Sequence, residues 1–81
     1  MPRFDWDDLQ YFLAVARSGT LSAASRELRT NHVTVSRRID RLELALGKKL
    51  FERSPRGYVL TNVGDRLLES AKLIAQQAET F

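Results

Sequence analysis

The chain has 81 residues, a net charge of +3 and no cysteine. That is room for one small domain, whose core covers only about 60% of the unfolded surface, and it excludes disulfides and thiolate metal sites as sources of stability, which leaves a partner subunit as one. No apolar run approaches the ~20 residues of a membrane span, and the start, MPRFDWDD, is acidic and lacks the apolar stretch of a signal peptide, so a soluble cytoplasmic protein is expected.

A first helix is predicted from about Trp6 to Ser18, with Asp5 as N-cap and Asp8 as its box partner. Asp7 and Asp8 suit the positive end of the helix dipole and Arg17 the negative end. Leu9, Phe12, Leu13 and Ala16 form one apolar stripe, and Gly19 stops the helix. A short second helix, about Ala23 to Arg29, takes Ser22 or Thr20 as cap and turns Leu21, Ala24 and Leu28 inward. The third helix starts after Asn31, a good N-cap, and runs to about Leu46, with Val35, Ile39, Leu42 and Leu46 on its core face and Gly47 at its end. Lys49 to Arg53 and Tyr58 to Leu60 are strand candidates around the turn Ser54-Pro55-Arg56-Gly57. A fourth helix begins near Asn62, and Leu67, Ala71, Ile74, Ala78 and Phe81 repeat along it as a heptad seam. The fold class is therefore mostly α: a three-helix core with a small β-hairpin, then a long C-terminal helix.

Charge is unevenly spread. Arg17 to Arg56 holds ten basic and four acidic residues, a balance of +6, and the flanks hold three basic and six acidic, a balance of −3. A positive centre between acidic ends suits a polyanion on one face. The start of the third helix presents His32, Val33, Ser36, Arg37 and Asp40 away from its apolar stripe. Residues at the N-terminus of a recognition helix reach base edges in the major groove. Arg37 can pair bidentately with guanine, His32 can donate or accept, Val33 offers an apolar contact to a thymine methyl, and Ser36 is short enough for close approach. The alternative for Arg37, Arg38 and Arg41 is a solvated face paired with Asp40 or Glu43 along the helix. The start of the second helix, with Thr20 and Ser22, suits a phosphate. Arg53 and Arg56 make the hairpin tip basic, fit to follow a strand or enter a narrow minor groove. An enzyme is not expected: one histidine, no cysteine and neither a Gly-rich phosphate loop nor HExxH-type spacing give no catalytic constellation. No cofactor or metal is expected.

The stretches LQYFLAVARSGTLSAASREL and VSRRIDRLELALGKKLFERSPRGYVLT, with Gly64 after them, resemble the N-terminal winged helix-turn-helix domain of LysR-type transcriptional regulators. The resemblance covers Asp8 to Leu68, and the C-terminal helix is similar to that family's linker helix. Where the family commonly has Ser-Gln-Pro, this chain has Asn31-His32-Val33, and Thr34-Val35 with Arg37-Arg38-Ile39 fits a known variant. The resemblance implies a sequence-specific reader of double-stranded DNA at a pseudo-palindromic operator in a bacterial, nucleoid-associated setting. Recognition-helix contacts fall to His32, Val33, Thr34, Ser36 and Arg37, backbone contacts to Ser22 and Arg38, and wing contacts to Arg53 and Arg56. It also implies homodimerisation through Leu67, Ala71, Ile74, Ala78 and Phe81, with RNA polymerase as a further partner of the full-length protein. Residues 1–61 are then the winged domain and 62–81 the linker helix, and the family's effector-binding domain is absent from this chain. The main rival within DNA binding is a winged-helix domain of another regulator type. The rival from another class is a protein-interaction module in which the helical hairpin is only a dimer scaffold, and the basic centre and exposed Arg37 speak against that one.

Overall fold

The computed structural model describes residues 6–80, and the side chains of residues 6–74 and 76. The expected cap Asp5, the side chain of Ala78 and the whole of Phe81 lie outside the described residues. In chain order the elements are α1 (Trp6–Ser18), α2 (Leu21–Leu28), α3 (His32–Leu46), β1 (Phe51–Ser54), β2 (Gly57–Leu60) and α4 (Asn62–Thr80).

Helices α1, α2 and α3 pack on one another around Leu9, Phe12, Val15, Ala24, Val35, Ile39 and Leu42, all buried. The small Ala24, with no exposed surface, lets α2 approach its neighbours closely. The stripe of α1 is wider than its spacing predicted: Ala14 and Val15 are buried, while Leu13 and Ala16 sit half-buried at its edge. Asp8 also lies on this face, completely buried, so it is a core carboxylate rather than the predicted cap partner.

Local hydrogen bonds set the ends. Thr20, not Ser22, caps α2: its Oγ1 accepts from the Ala23 N–H at 3.1 Å, and the helix starts two residues earlier than predicted. Asn31 caps α3, its Oδ1 accepting from the Thr34 N–H at 2.8 Å. Gly47, at φ +66°, closes α3 in the left-handed conformation that glycine adopts without cost. At the end of α2 the same conformation falls to Arg29, at φ 56°.

The hairpin is antiparallel, with Phe51 opposite Leu60 and Ser54 opposite Gly57, so the turn is only Pro55-Arg56. Lys49 and Leu50, predicted as strand, are not part of it. Their backbone groups are engaged elsewhere: the Leu50 N–H donates to Glu43 Oε2 at 2.8 Å, and the carbonyls of Lys49 and Leu50 accept from the hydroxyl and N–H of Thr61 at 2.7 and 3.0 Å. Thr61 in turn caps α4, accepting from the Gly64 N–H at 3.0 Å. At Gly64 the helix passes so close to the Leu50 carbonyl that a Cβ would collide with it. The rings of Phe12, Phe51 and Tyr58 pack in series, the first pair tilted and the second edge-to-face, with centroids 5.4 and 5.5 Å apart, and carry the core from α1 into the hairpin.

Candidate nucleic-acid interface

The tight turn between α2 and α3 leaves the first turns of α3 standing clear of the core. His32, Val33 and Arg37 are exposed there, Val33 to 65%, while Thr34 and Ser36 are half-buried. An open groove runs along this face, lined by Leu21, His32, Val33, Ser36, Arg37 and Asp40. Neither α2 nor α3 carries an acidic residue in its first turn, so the positive end of each helix dipole is left uncompensated by its own side chains. Ser22 lies half-buried in the first turn of α2, its Oγ accepting from Arg26 Nη1 at 3.1 Å.

The arginines of α3 part company. Arg37 has no hydrogen-bond or ion-pair partner among the described residues. Arg38 turns the other way: its Nη1 donates to Asp8 Oδ1 at 2.9 Å and its guanidinium lies 5.2 Å from the centre of the Tyr11 ring. Arg41 Nε stands 3.1 Å from Asp8 Oδ2. The hydrogen bond to Asp8 raises the Arg38 pKa above the ordinary arginine value, burial opposing it and the Asp8 charge adding to it. Arg38, expected at the DNA backbone, is engaged by Asp8, where its guanidinium closes a buried charge. The alternative pairing of Arg38 and Arg41 with Asp40 or Glu43 is corrected: both reach across to α1 instead.

Those two acids of α3 are held by Arg53. Its Nη2 donates to Asp40 Oδ1 at 2.6 Å and Glu43 Oε1 at 3.0 Å, and its guanidinium lies 5.1 Å from the centre of the Tyr58 ring. Burial works to lower the Arg53 pKa, but hydrogen bonding to Asp40 and the charges of Tyr58, Asp40 and Glu43 outweigh it, and the net shift is upward. Arg53 is thus a clamp between β1 and α3, not a free group at the wing tip. Arg56 occupies the tip, exposed, its N–H donating to Ser54 Oγ at 3.2 Å. Tyr58 N–H donates to the Gly19 carbonyl at 2.8 Å, which ties the wing to the α1–α2 turn, and Gly57, at φ +139°, fits there because a Cβ would strike that carbonyl.

Sequence reasoning missed the roles of Asp8 and Glu43, buried carboxylates whose partners lie outside their own helices. Glu43 is 7% exposed, and its Oε2 accepts from the N–H groups of Leu50 and Phe51 at 2.8 and 3.3 Å. A signal existed for Asp8: with Leu9, Phe12 and Val15 it falls on the apolar stripe, where a charge needs a partner. The C-terminal seam divides. Ala71 is fully buried and Leu67 half-buried in the chain's own core, so these two positions are already occupied, whereas Leu73 and Ile74 are 63% and 47% exposed. Among the described residues no group of three or more His, Cys, Asp or Glu is placed to hold a metal ion, and no helix is long and apolar enough to cross a membrane.

Residues 6–65 match the family model of the bacterial regulatory helix-turn-helix protein, lysR family. The HTH-type transcriptional regulator ClcR of Pseudomonas putida is 40% identical over 75 residues, which are 93% of this chain and 26% of ClcR. This chain thus spans about a quarter of the length of such relatives. Among solved structures, the complex of the CbnR DNA-binding domain with DNA superposes with a TM-score of 0.90 at 38% identity, covering 95% of this chain and 88% of that one. The complex of the BenM DNA-binding domain with benA site 1 DNA gives 0.90 at 27% identity, covering 95% and 90%.

Proposed function

This chain belongs to the lysR family of bacterial regulatory helix-turn-helix proteins, and from that premise we propose that it is the DNA-binding domain of a LysR-type transcriptional regulator. The start of α3 enters the major groove and the wing follows the backbone into the minor groove. The observation that carries the reading is Arg37: a solvent-facing guanidinium without a protein partner among the described residues, in a groove at the uncompensated positive end of a helix. His32, Val33, Thr34 and Ser36 line up beside it as base or near-base contacts. Ser22 and the N-terminus of α2 suit one phosphate, as the exposed Arg56 suits another at the wing tip. The protein acts as a regulator rather than an enzyme, in the bacterial cytoplasm, and in its full-length form RNA polymerase is a further partner.

Residues 62–81 serve as the dimerisation helix after the winged domain of residues 1–61. The exposed Leu73 and Ile74 support this, since an apolar seam that the core does not cover fits a second copy. A dimer sets two recognition helices about one DNA turn, ~34 Å, apart on a two-fold-symmetric site. Ile74→Asp dissociates the dimer in sedimentation velocity, and a mutant that stays fully dimeric contradicts the seam.

The test of the whole reading is fluorescence anisotropy with a mixed duplex pool at low and near-physiological salt, followed by sequence selection from the bound fraction. Enrichment of a two-fold-symmetric motif is the expected result. Binding that vanishes with salt and enriches nothing marks a merely basic surface, and the protein-interaction reading takes its place.

A further inference from the structure

We propose that Asp40 is a further specificity-determining residue, whose carboxylate selects a base pair presenting cytosine N4 to the major groove. The inference rests on the DNA-reading function above and adds a residue to it. Asp40 lines the same groove as Val33, Ser36 and Arg37. These positions, 33, 36, 37 and 40, repeat the spacing by which one well-characterised helix class reads the major groove, with contacts at i, i+3, i+4 and i+7. The Asp40 side chain is 59% exposed, two turns along the helix from Val33 and less than one turn beyond Arg37.

A carboxylate at a DNA-facing position is repelled by phosphate and accepts hydrogen bonds only. It is tolerated where a base offers an amine, and in the major groove Asp and Glu accept from cytosine N4. Arg53 prepares the group for this. It binds Oδ1 at 2.6 Å, which fixes the side chain before DNA arrives, and it leaves Oδ2 without a hydrogen-bond partner among the described residues. A held acceptor loses less freedom on binding than a mobile one. The same contact joins the wing to the reading face, so the two halves of the interface share one ion pair.

Sequence selection from a randomised duplex pool tests the proposal, with the wild-type chain, Asp40→Ala, Asp40→Asn and Arg53→Gln, each checked for folding by circular dichroism. The Asp40→Ala motif matches wild type everywhere except at one symmetry-related pair of positions, where discrimination falls roughly 10-fold. Asp40→Asn shifts that position toward adenine, to which an amide can pair bidentately. Arg53→Gln, which releases the Asp40 side chain, binds more weakly and keeps the cytosine preference, reduced by less than in Asp40→Ala. An unchanged motif in Asp40→Ala overturns the proposal, as does an Asp40→Asn motif that shows no shift toward adenine. A wild-type chain that enriches no motif overturns the DNA-reading function itself and this residue's part in it.

Discussion

Arg37 and Arg38 are neighbours in sequence and opposites in environment. One faces an open groove at the start of α3 with no protein partner among the described residues; the other is spent on a buried carboxylate of α1. The contrast extends to the two faces they belong to. The reading face leaves polar and apolar groups exposed, at His32, Val33 and Arg37. The joint behind it, Asp8 with Arg38 and Arg41, and Glu43 with Arg53, is closed by ion pairs, and the Arg53–Asp40 pair ties it to the reading face. A small domain must keep binding groups uncompensated on one side, and a rigid back lets it present them in fixed register. Arginine composition alone does not separate the two uses; the position of each arginine relative to a buried acid does.

Breaking the joint carries the largest expected effect. Arg38→Ala leaves Asp8, which has no exposed surface, facing only Arg41 among the described residues, and the Arg41 side chain is 54% exposed. The predicted loss is about 3 kcal/mol in urea unfolding, and Asp8→Asn in that background restores part of it. The upward pKa shift of Arg38 makes its contribution present at all pH below the unfolded arginine value, and it is lost only as pH climbs through the folded one. Arg38 therefore adds no pH dependence to stability near neutrality. Glu43→Gln comes next. It weakens the acceptor shared by Leu50, Phe51 and Arg53 and is expected to cost about 2 kcal/mol, with early hydrogen exchange at the Leu50 amide as the signature.

Opening the other face gives the opposite pattern. Arg37→Ala is expected to shift unfolding by less than about 0.5 kcal/mol while costing roughly 1–3 kcal/mol in affinity for the selected site. The smallest effect is a gain. Arg29 holds a left-handed conformation at φ 56° that glycine adopts freely, so Arg29→Gly is expected to raise stability by about 0.5 kcal/mol in thermal melts.

The helices, their caps at Asn31 and Gly47, and the hairpin were legible because caps and turns are set by residues close in the chain. The start of α2 slipped because Thr20 and Ser22 are both good caps, and only the backbone decides which oxygen accepts from the free N–H groups of the first turn. Arg37 was legible as an exposed group. The fates of Arg38 and Arg53 were not, because Asp8 lies 30 residues before Arg38 and the Arg53 clamp depends on how β1 docks on α3. Periodicity found the apolar stripe of α4 but does not say what covers it; Leu67 and Ala71 face the chain's own core and Ile74 faces outward. The protein partners of Arg53 were illegible for a similar reason, since strand alternation cannot distinguish a phosphate from a protein carboxylate as the partner.

One measurement bears on the central claim most directly: anisotropy titration of the wild-type chain and folded Arg37→Ala with the selected duplex and with an unrelated duplex at the same salt. The start of α3 as the reading head predicts that the specific-to-nonspecific affinity ratio falls by roughly 5- to 100-fold in Arg37→Ala, with unrelated DNA bound almost as before. A ratio equal to wild type, with both duplexes weakened alike, would make Arg37 a phosphate contact and contradict the account.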